Sequence, residues 1–223
     1  MAEKIVLLAC EGQTDVFVFQ ALAKHFSTTE VQLIMVSLAP QQDATSGTYP
    51  AHGYGEVLNW CAANRDKLQM LIDFRGAAAL FVQMDTDIVL DINRECIEQG
   101  YSSRHCCQEK LNEKLGTTIE PPRCHYILPS QNTETWLLAS AHISMLDENS
   151  LPINNYELII DPEKQLVELL GYLKKRGIDK KLNKSPAKYR KYSKQLIENI
   201  TLARQRCSEL NRLSDLFEQY TKI

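Results

Sequence analysis

The chain lacks long apolar runs, is sparing with glycine and proline, and has no large excess of either charge. Apolar stretches such as residues 5–9 are far shorter than the roughly 20 residues that a membrane-spanning helix needs. No basic start precedes an apolar leader, so we expect a cytoplasmic protein with no membrane partner. With 9 Gly, 8 Pro and 44% hydrophobic residues among 223, the composition excludes a fibre, a linker and a predominantly disordered chain.

The cysteine pattern fits neither a disulfide framework nor a zinc site. The chain has 7 Cys, an odd number, and no CxxC pair. His105 lies beside Cys106 and Cys107, but adjacent side chains on a helix point about 100° apart. No second ligand pair follows at the spacing of a zinc site. We therefore interpret the cysteines as structural or incidental thiols.

The formal net charge of −3 hides an asymmetry between the two parts of the chain. Residues 1–150 contain 10 Lys and Arg against 19 Asp and Glu, a balance of −9. Residues 151–223 contain 15 against 9, a balance of +6. An acidic part that can hold cations and a basic part that can hold polyanions suit an enzyme acting on phosphate esters.

Short apolar runs alternate with helical patterns over the first 150 residues. Four buried strands are predicted at residues 4–10 (KIVLLAC), 31–39, 78–84 (AALFVQM) and 123–128. Helical spacing predicts helices at about 17–26, 56–74, 91–115 with a break at Gly100, and 134–141. Because crossovers between parallel strands are right-handed, this alternation predicts an α/β domain at 1–150, with a parallel sheet of about four strands and helices on both faces.

Beyond residue 150 the pattern becomes helical and basic. A helix is predicted from Pro162 to about residue 176, then a basic linker, then one long amphipathic helix over residues 188–220. Residues 151–223 are therefore predicted to form a basic helical extension of the α/β domain.

Acidic residues follow the predicted strands at the points where those strands end. Glu11 follows the first strand, Asp85 and Asp87 follow the third, and Glu134 comes six residues after the fourth. The carboxyl ends of parallel strands open on one crevice, so these side chains are expected to converge. Clustered carboxylates suit Mg²⁺ or Mn²⁺.

At these positions the chain resembles the TOPRIM domain, which topoisomerases, bacterial primases and OLD-family nucleases share. The EGQTD segment at residues 11–15 and the DTD segment at residues 85–87 resemble its Glu-Gly turn and its Asp-x-Asp motif, in the same order. The SQNTETWLLA segment at residues 130–139 resembles more narrowly the Glu-x-Trp-Leu-Leu helix of small stand-alone TOPRIM-like proteins of the RloB type. The stretch from residue 161 to residue 207 is similar to the tail of those proteins.

The resemblance implies a metal-dependent nuclease of bacterial DNA metabolism or phage defence. It implies that Asp85 and Asp87 bind the metal ion. It also implies that Glu11 completes the metal site or acts as a general acid or base, and that Glu134 holds a second metal or fixes the first. Asp15, where relatives often carry Glu, is either a supporting acid behind the ligands or a surface group matched to the helix dipole. The 223 residues contain no recognisable ATPase domain, so dependence on a partner ATPase stays open.

A basic segment between residues 174 and 194 is the candidate nucleic-acid surface. It carries ten basic residues against the single acid Asp179, and Tyr189 and Tyr192 interleave with them. Basic side chains with aromatic platforms track nucleic-acid backbones in other proteins, whereas the simpler interpretation is a solvated helix face. The predicted phosphate contacts are Lys184, Lys188, Arg190, Lys191 and Lys194.

Two other functions compete with that of a nuclease. Asp-x-Asp at residues 85–87 also occurs in haloacid-dehalogenase-like phosphatases, but there it ends the first core strand, and no later Gly-Asp followed by a second Asp is present. The other alternative is a TOPRIM-like module that has lost turnover and binds nucleic acid or a nucleotide for a partner protein. The expected substrate is DNA or RNA.

Overall fold

The computed structural model describes residues 1–222 except residues 48, 51, 119, 142–144, 148, 171–172 and 177–178. For residues 169–170, 173–176 and 179–180 it describes the backbone. Among the residues described, no helix is long and apolar enough to cross a membrane.

Four strands form one parallel sheet, as predicted. They are β1 (Ala2–Ala9), β2 (Val31–Ala39), β3 (Ala77–Gln83) and β4 (Cys124–Ile127), in the order β2-β1-β3-β4. The central strand β1 is buried on both faces, which is why its sequence is a near-continuous apolar run. Leu7 points into the core on one face, while Val6 and Leu8 point into the core on the other.

Helices cover both faces of this sheet, which confirms the predicted α/β class. The helices of the first 150 residues are α1 (Gln13–Phe26), α2 (Tyr54–Ala63), α3 (Leu68–Phe74), α4 (Val89–Ile92), α5 (Arg94–Glu98), α6 (Ser103–Leu115) and α7 (Glu134–Ala139). After a 3-10 turn at Tyr156–Leu158 come α8 (Pro162–Leu170), the antiparallel strands β5 (Leu173–Arg176) and β6 (Asp179–Leu182), and then α9 (Pro186–Glu198), α10 (Ile200–Arg206) and α11 (Ser208–Tyr220).

Two apolar cores separate the helices by face. Helices α1, α7, α9, α10 and α11 contribute to one core, which contains Phe81 and the fully buried Trp136. Helices α2, α3 and α6 contribute to the other, which contains Leu80 and Val82. The C-terminal helices thus share a core with the sheet, while the proposed boundary between residues 150 and 151 stays a prediction.

The predicted C-terminal helices are wrong in two places. The helix that starts at Pro162 ends at Leu170, and residues 173–176, predicted as its end, form β5. Residues 171–172, also assigned to that helix, lie outside the described part of the chain. The single helix predicted over residues 188–220 is three helices, because Asn199 and Cys207 adopt non-helical backbone angles between them. These breaks let the chain turn back on itself, so that three helices with a continuous amphipathic pattern cover one face of the sheet.

Two internal helices are also broken. The pattern over residues 56–74 forms α2 and α3, separated by a turn in which Asp66 has a φ of 61°. The pattern over residues 91–115 breaks at Asn93 as well as at the predicted Gly100, whose φ is 87°. A left-handed backbone ends a helix, and periodicity in the sequence does not reveal it.

One cysteine pair corrects the expectation of free thiols. Cys96 on α5 and Cys106 on α6 form a disulfide over a sequence separation of 10 residues. The other five cysteines are free and buried. The pair joins two consecutive helices across the break at Gly100.

The outer edge of β4 is covered by side chains. The N–H of Tyr126 donates to Glu120 Oε1 at 2.8 Å, and the N–H of Leu128 donates to Glu209 Oε1 at 2.8 Å. Arg212 donates to the carbonyl oxygen of Tyr126 and also pairs with Glu209. Two carboxylates and a guanidinium therefore take the place of a fifth strand.

Candidate functional site

The site lies where the connections of the sheet diverge. The chain leaves β1 for β2 on one side and later crosses to β3 on the other, so the carboxyl ends of β1 and β3 flank a switch point. Glu11 follows β1, and Asp85 and Asp87 follow β3. The topology therefore delivers these three acids to one crevice, as predicted from the strand ends.

A closed set of hydrogen bonds joins Glu11, Gln83 and Asp85. The Glu11 N–H donates to Gln83 Oε1 at 3.2 Å, and Gln83 Nε2 donates to Asp85 Oδ1 at 2.7 Å. The Asp85 N–H donates back to Glu11 Oε1 at 2.7 Å. Sequence reasoning missed Gln83, although it is the single polar side chain within the apolar AALFVQM segment and is fully buried.

The Glu11 carboxylate is also tied to the start of α2. It accepts a hydrogen bond from the Tyr54 N–H, in addition to the one from Asp85. Burial raises the pKa of Glu11 from 4.5 to about 8, and repulsion from Asp15 and Asp87 adds to this rise. Glu11 can therefore carry a proton near neutral pH.

Asp15 lies in the first turn of α1 and points into the site. Its side chain is only 4% exposed, and Thr133 Oγ1 donates to Asp15 Oδ1 at 2.7 Å. Burial raises the pKa of Asp15 from 3.8 to about 7, followed by repulsion from Glu134. Of the two interpretations of Asp15, the structure favours the supporting acid, because a surface group would be exposed.

Glu134, the first residue of α7, already has a cation beside it. Lys184 Nζ lies 2.8 Å from Glu134 Oε1 and 2.9 Å from Glu163 Oε2. The Tyr189 hydroxyl donates to the same Glu134 oxygen. Burial raises the pKa of Tyr189, and the charge of Glu134 raises it further. The negative charge of Glu134 is thus compensated from within the chain.

The loop that carries Asp87 is fixed by the loop after β4. The Thr86 N–H donates to the Gln131 carbonyl oxygen at 2.8 Å, and the Gln131 N–H donates to Thr86 Oγ1 at 2.9 Å. Thr86 Oγ1 in turn donates to the Pro129 carbonyl oxygen at 2.9 Å. The exposed Asp87 accepts a weak hydrogen bond from Asn132 Nδ2 at 3.5 Å. Thr86 therefore anchors the backbone between the two predicted metal ligands.

Five carboxylates act on one another across the crevice, and we call them the acidic cluster: Glu11, Asp15, Asp85, Asp87 and Glu134. Burial raises the pKa of Asp85 well above its ordinary value, and repulsion from the other four carboxylates raises it further. Among the residues described, no three Asp, Glu, His or Cys side chains converge closely enough to hold a metal ion together.

The basic residues of α9 are exposed, but the aromatic residues between them are not. Lys188, Arg190, Lys191 and Lys194 are exposed, whereas Tyr189 and Tyr192 are buried in the core. The expectation of aromatic platforms is therefore wrong, because the face of α9 that carries both tyrosines packs inward against α1 and α7.

The basic residues differ in their surroundings. Arg190 lies over the ring of Phe17 at 5.0 Å, and Lys194 lies 3.7 Å from Glu198. In the β5-β6 hairpin, the backbone of Lys174 lies opposite that of Lys181, and the backbone of Lys175 lies opposite that of Lys180. Lys184 is shared by two carboxylates, and its predicted role as a phosphate contact stays a prediction.

Comparison with models of protein families, with curated proteins and with solved structures finds no match for this chain.

Proposed function

We propose that the protein is a Mg²⁺-dependent phosphodiester hydrolase of the TOPRIM type that acts on nucleic acid, with a role in bacterial DNA metabolism or phage defence. The observation that carries the proposal is the acidic cluster at the carboxyl ends of β1 and β3. Burial and mutual repulsion raise the pKa of Asp85, Glu11 and Asp15 there. A divalent cation would relieve that repulsion, and carboxylates with raised pKa values in a crevice are typical of functional sites.

The donor atoms fit a magnesium ion that keeps most of its water. Mg²⁺ prefers oxygen ligands and is commonly bound through one or two carboxylates plus substrate phosphates. In the described part of the chain no three such side chains converge, so water and substrate phosphates would have to complete the coordination. Asp85 and Asp87 would hold the ion, with Glu11 beside them. When bound, the ion would lower the pKa of a water molecule and neutralise charge developing on the phosphate.

The chain's own residues supply proton transfer and substrate position. Glu11, with a pKa of about 8, would accept a proton from the attacking water or donate one to the leaving oxygen. Gln83 fixes the backbone of Glu11 and the carboxylate of Asp85 relative to each other. The exposed Lys188 and Lys191 on α9 would bind phosphates of the substrate strand, and binding would weaken as salt rises.

The proposal is tested by cleavage of plasmid DNA, single-stranded DNA and RNA in MgCl₂, MnCl₂ or EDTA. We expect cleavage that requires a divalent ion and falls about 100-fold or more in Asp85→Asn and Asp87→Asn. Glu30→Gln is the matched control, because Glu30 is an exposed acid beside the start of β2, at the opposite end of the sheet. Circular dichroism confirms that each variant folds. Cleavage by Asp85→Asn at the wild-type rate would overturn the proposal.

A second candidate is a binding module of the same type without turnover. It is favoured by the compensated charge of Glu134, which leaves fewer acids available for an ion. Gel-shift assays with Lys188→Gln and Lys191→Gln distinguish the two functions. Binding that depends on these lysines, with no cleavage in either metal, would identify the module. A partner ATPase would then be sought as the protein that supplies activity.

A further inference from the structure

A cavity of about 520 Å³ lies beside the edge strand β2, apart from the acidic cluster. Residues 35–38 of β2 form one side of it, and residues of α2 and α3 line the other. Small-molecule sites in proteins are commonly about 300–1,000 Å³. The cavity therefore has the volume of a ligand site and not only that of a packing defect.

The lining combines amides, aromatic rings and one cation. Four side-chain amides line the cavity: Gln20, Gln41, Gln42 and Asn64. Tyr49 and Trp60 supply the rings and Arg75 the positive charge, and none of the described lining residues is acidic. This lining differs in charge from the acidic cluster and suits a planar, hydrogen-bonding, anionic ligand.

Internal hydrogen bonds orient some of these amides. Asn64 Nδ2 donates to the Trp60 carbonyl oxygen at 2.8 Å, and Gln42 Nε2 donates to the Gly47 carbonyl oxygen at 2.7 Å. The oxygen atoms Asn64 Oδ1 and Gln42 Oε1 would be the acceptors that these two amides offer to a ligand. Amino groups on a nucleobase edge are matching donors.

We propose that this cavity binds a nucleotide unit. The base would pack against Trp60, the side-chain amides would bind the base edge, and Arg75 would bind the phosphate. Carboxamides pair with base edges, stacking on aromatic rings accepts any base, and guanidinium groups bind phosphate with two parallel hydrogen bonds. The unit is either a free mononucleotide or part of a nucleic-acid strand.

An extended peptide fits this edge less well. The outward N–H groups of Val31 and Leu33 are already bound by Thr28 Oγ1 and Ser27 Oγ. By the same alternation, the N–H groups of Met35 and Ser37 are the next ones that face outward, and these two residues lie beside the cavity. Two such N–H groups, on alternate residues, span only about three residues, fewer than the five or six of a typical strand.

The cavity is connected to the acidic cluster through α2. The Tyr54 N–H at the start of α2 binds the Glu11 carboxylate, and Trp60 follows six residues later, about 9 Å along the helix axis. A second connection runs through the sheet. The N–H of Cys10, the residue before Glu11, donates to the carbonyl oxygen of Ala39 at the end of β2 at 2.7 Å. If the unit belongs to a strand, it would be a neighbour of the phosphate that is cut, and this clause rests on the proposed function.

Tryptophan fluorescence gives a direct test, because the chain has 2 Trp and only one lines the cavity. Trp136 is fully buried, whereas Trp60 is half-buried. AMP, GMP, CMP and UMP are titrated separately in EDTA, so that no metal-dependent reaction takes part. We expect saturable quenching that is lost in Trp60→Phe. Isothermal titration calorimetry then measures the affinity of each variant.

Arg75→Gln is expected to weaken mononucleotide binding about 10-fold. Arg65→Gln is the matched control, since Arg65 is exposed near α2 but does not line the cavity. A single-stranded oligonucleotide is the second arm. Binding of the oligonucleotide in competition with mononucleotides assigns the unit to a strand, and binding of mononucleotides alone assigns it to a free ligand.

The inference is overturned if neither ligand quenches Trp60 or releases heat at millimolar concentration, or if Arg75→Gln and Arg65→Gln bind equally well. Asp85→Asn should keep wild-type mononucleotide affinity. Metal-dependent cleavage without nucleotide binding would overturn this inference and leave the proposed function intact. Nucleotide binding without metal-dependent cleavage would support this inference and overturn the proposed hydrolase.

Discussion

Replacing Asp15 with asparagine should stabilise the metal-free protein at alkaline pH. The pKa of Asp15 is raised from 3.8 to about 7 by burial and by repulsion from Glu134. Between these two pH values the folded state holds a proton that the unfolded state has lost. Stability from this group is therefore full below pH 3.8, declines as pH rises, and is lost above about pH 7. Asparagine does not ionise and avoids this loss.

The magnitude follows from the width of that pH interval. At about 1.4 kcal/mol per pH unit, the raised pKa of Asp15 lowers the free energy of unfolding, relative to its value below pH 3.8, by at most about 4 kcal/mol at pH 8 and by about 2 kcal/mol at pH 5. Asparagine keeps the oxygen that accepts from Thr133 Oγ1, and its new N–H groups face carboxylates of the acidic cluster. One kcal/mol corresponds to about 2–4 °C in Tm for a chain of this size. We expect Tm to rise by roughly 8 °C at pH 8.

Thermal and urea unfolding of Asp15→Asn and wild type, both in EDTA at pH 5 and pH 8, measure this difference. Glu30→Gln is the control for loss of a negative charge, because Glu30 is exposed. A variant that is less stable than wild type at pH 8, or a gain that is equal at both pH values, would refute the reasoning.

Three further predictions concern the supports of the acidic cluster. Gln83→Leu removes both hydrogen bonds of this buried amide and should lower the free energy of unfolding by about 2–4 kcal/mol in urea titrations; an unchanged midpoint would contradict this. Tyr189→Phe removes a donor to buried Glu134 and should lower the free energy of unfolding by about 2 kcal/mol in the same assay; an unchanged free energy of unfolding would contradict this. Lys184→Met removes the cation beside Glu134 and should cost about 2 kcal/mol, whereas Lys188→Met, at an exposed position, should change stability by less than about 0.5 kcal/mol; equal effects would argue against the pair.

The convergence of Glu11 with Asp85 could be predicted because it follows from strand direction alone. Two buried apolar runs predict two parallel strands, and parallel strands end at the same edge of a sheet. The first residues after such runs then meet where the two strands are neighbours, as β1 and β3 are. The hydrogen bond from the Asp85 N–H to Glu11, across 74 residues, is the result.

The partners of these acids could not be predicted, because they depend on packing between distant elements. Lys184 reaches Glu134 because β6, which precedes it, packs against α8 and places Leu182 in the core. The basic neighbours of Tyr189 predict an exposed aromatic platform, yet Tyr189 lies on the inward face of α9 and is buried. The breaks at Asn199 and Cys207 interrupt no periodicity in the sequence, and tertiary contacts decide them.

The covered edge of β4 bears on how the protein behaves at high concentration. Strands with open edges recruit other strands, and this is a common route from a folded α/β protein to ordered aggregates. Here Glu209 and Arg212 are contributed by α11, the last helix, and not by a neighbouring loop. A truncation before α11 would remove two of the three side chains that cover β4, so shortened versions of the chain should aggregate more readily than the 223-residue chain.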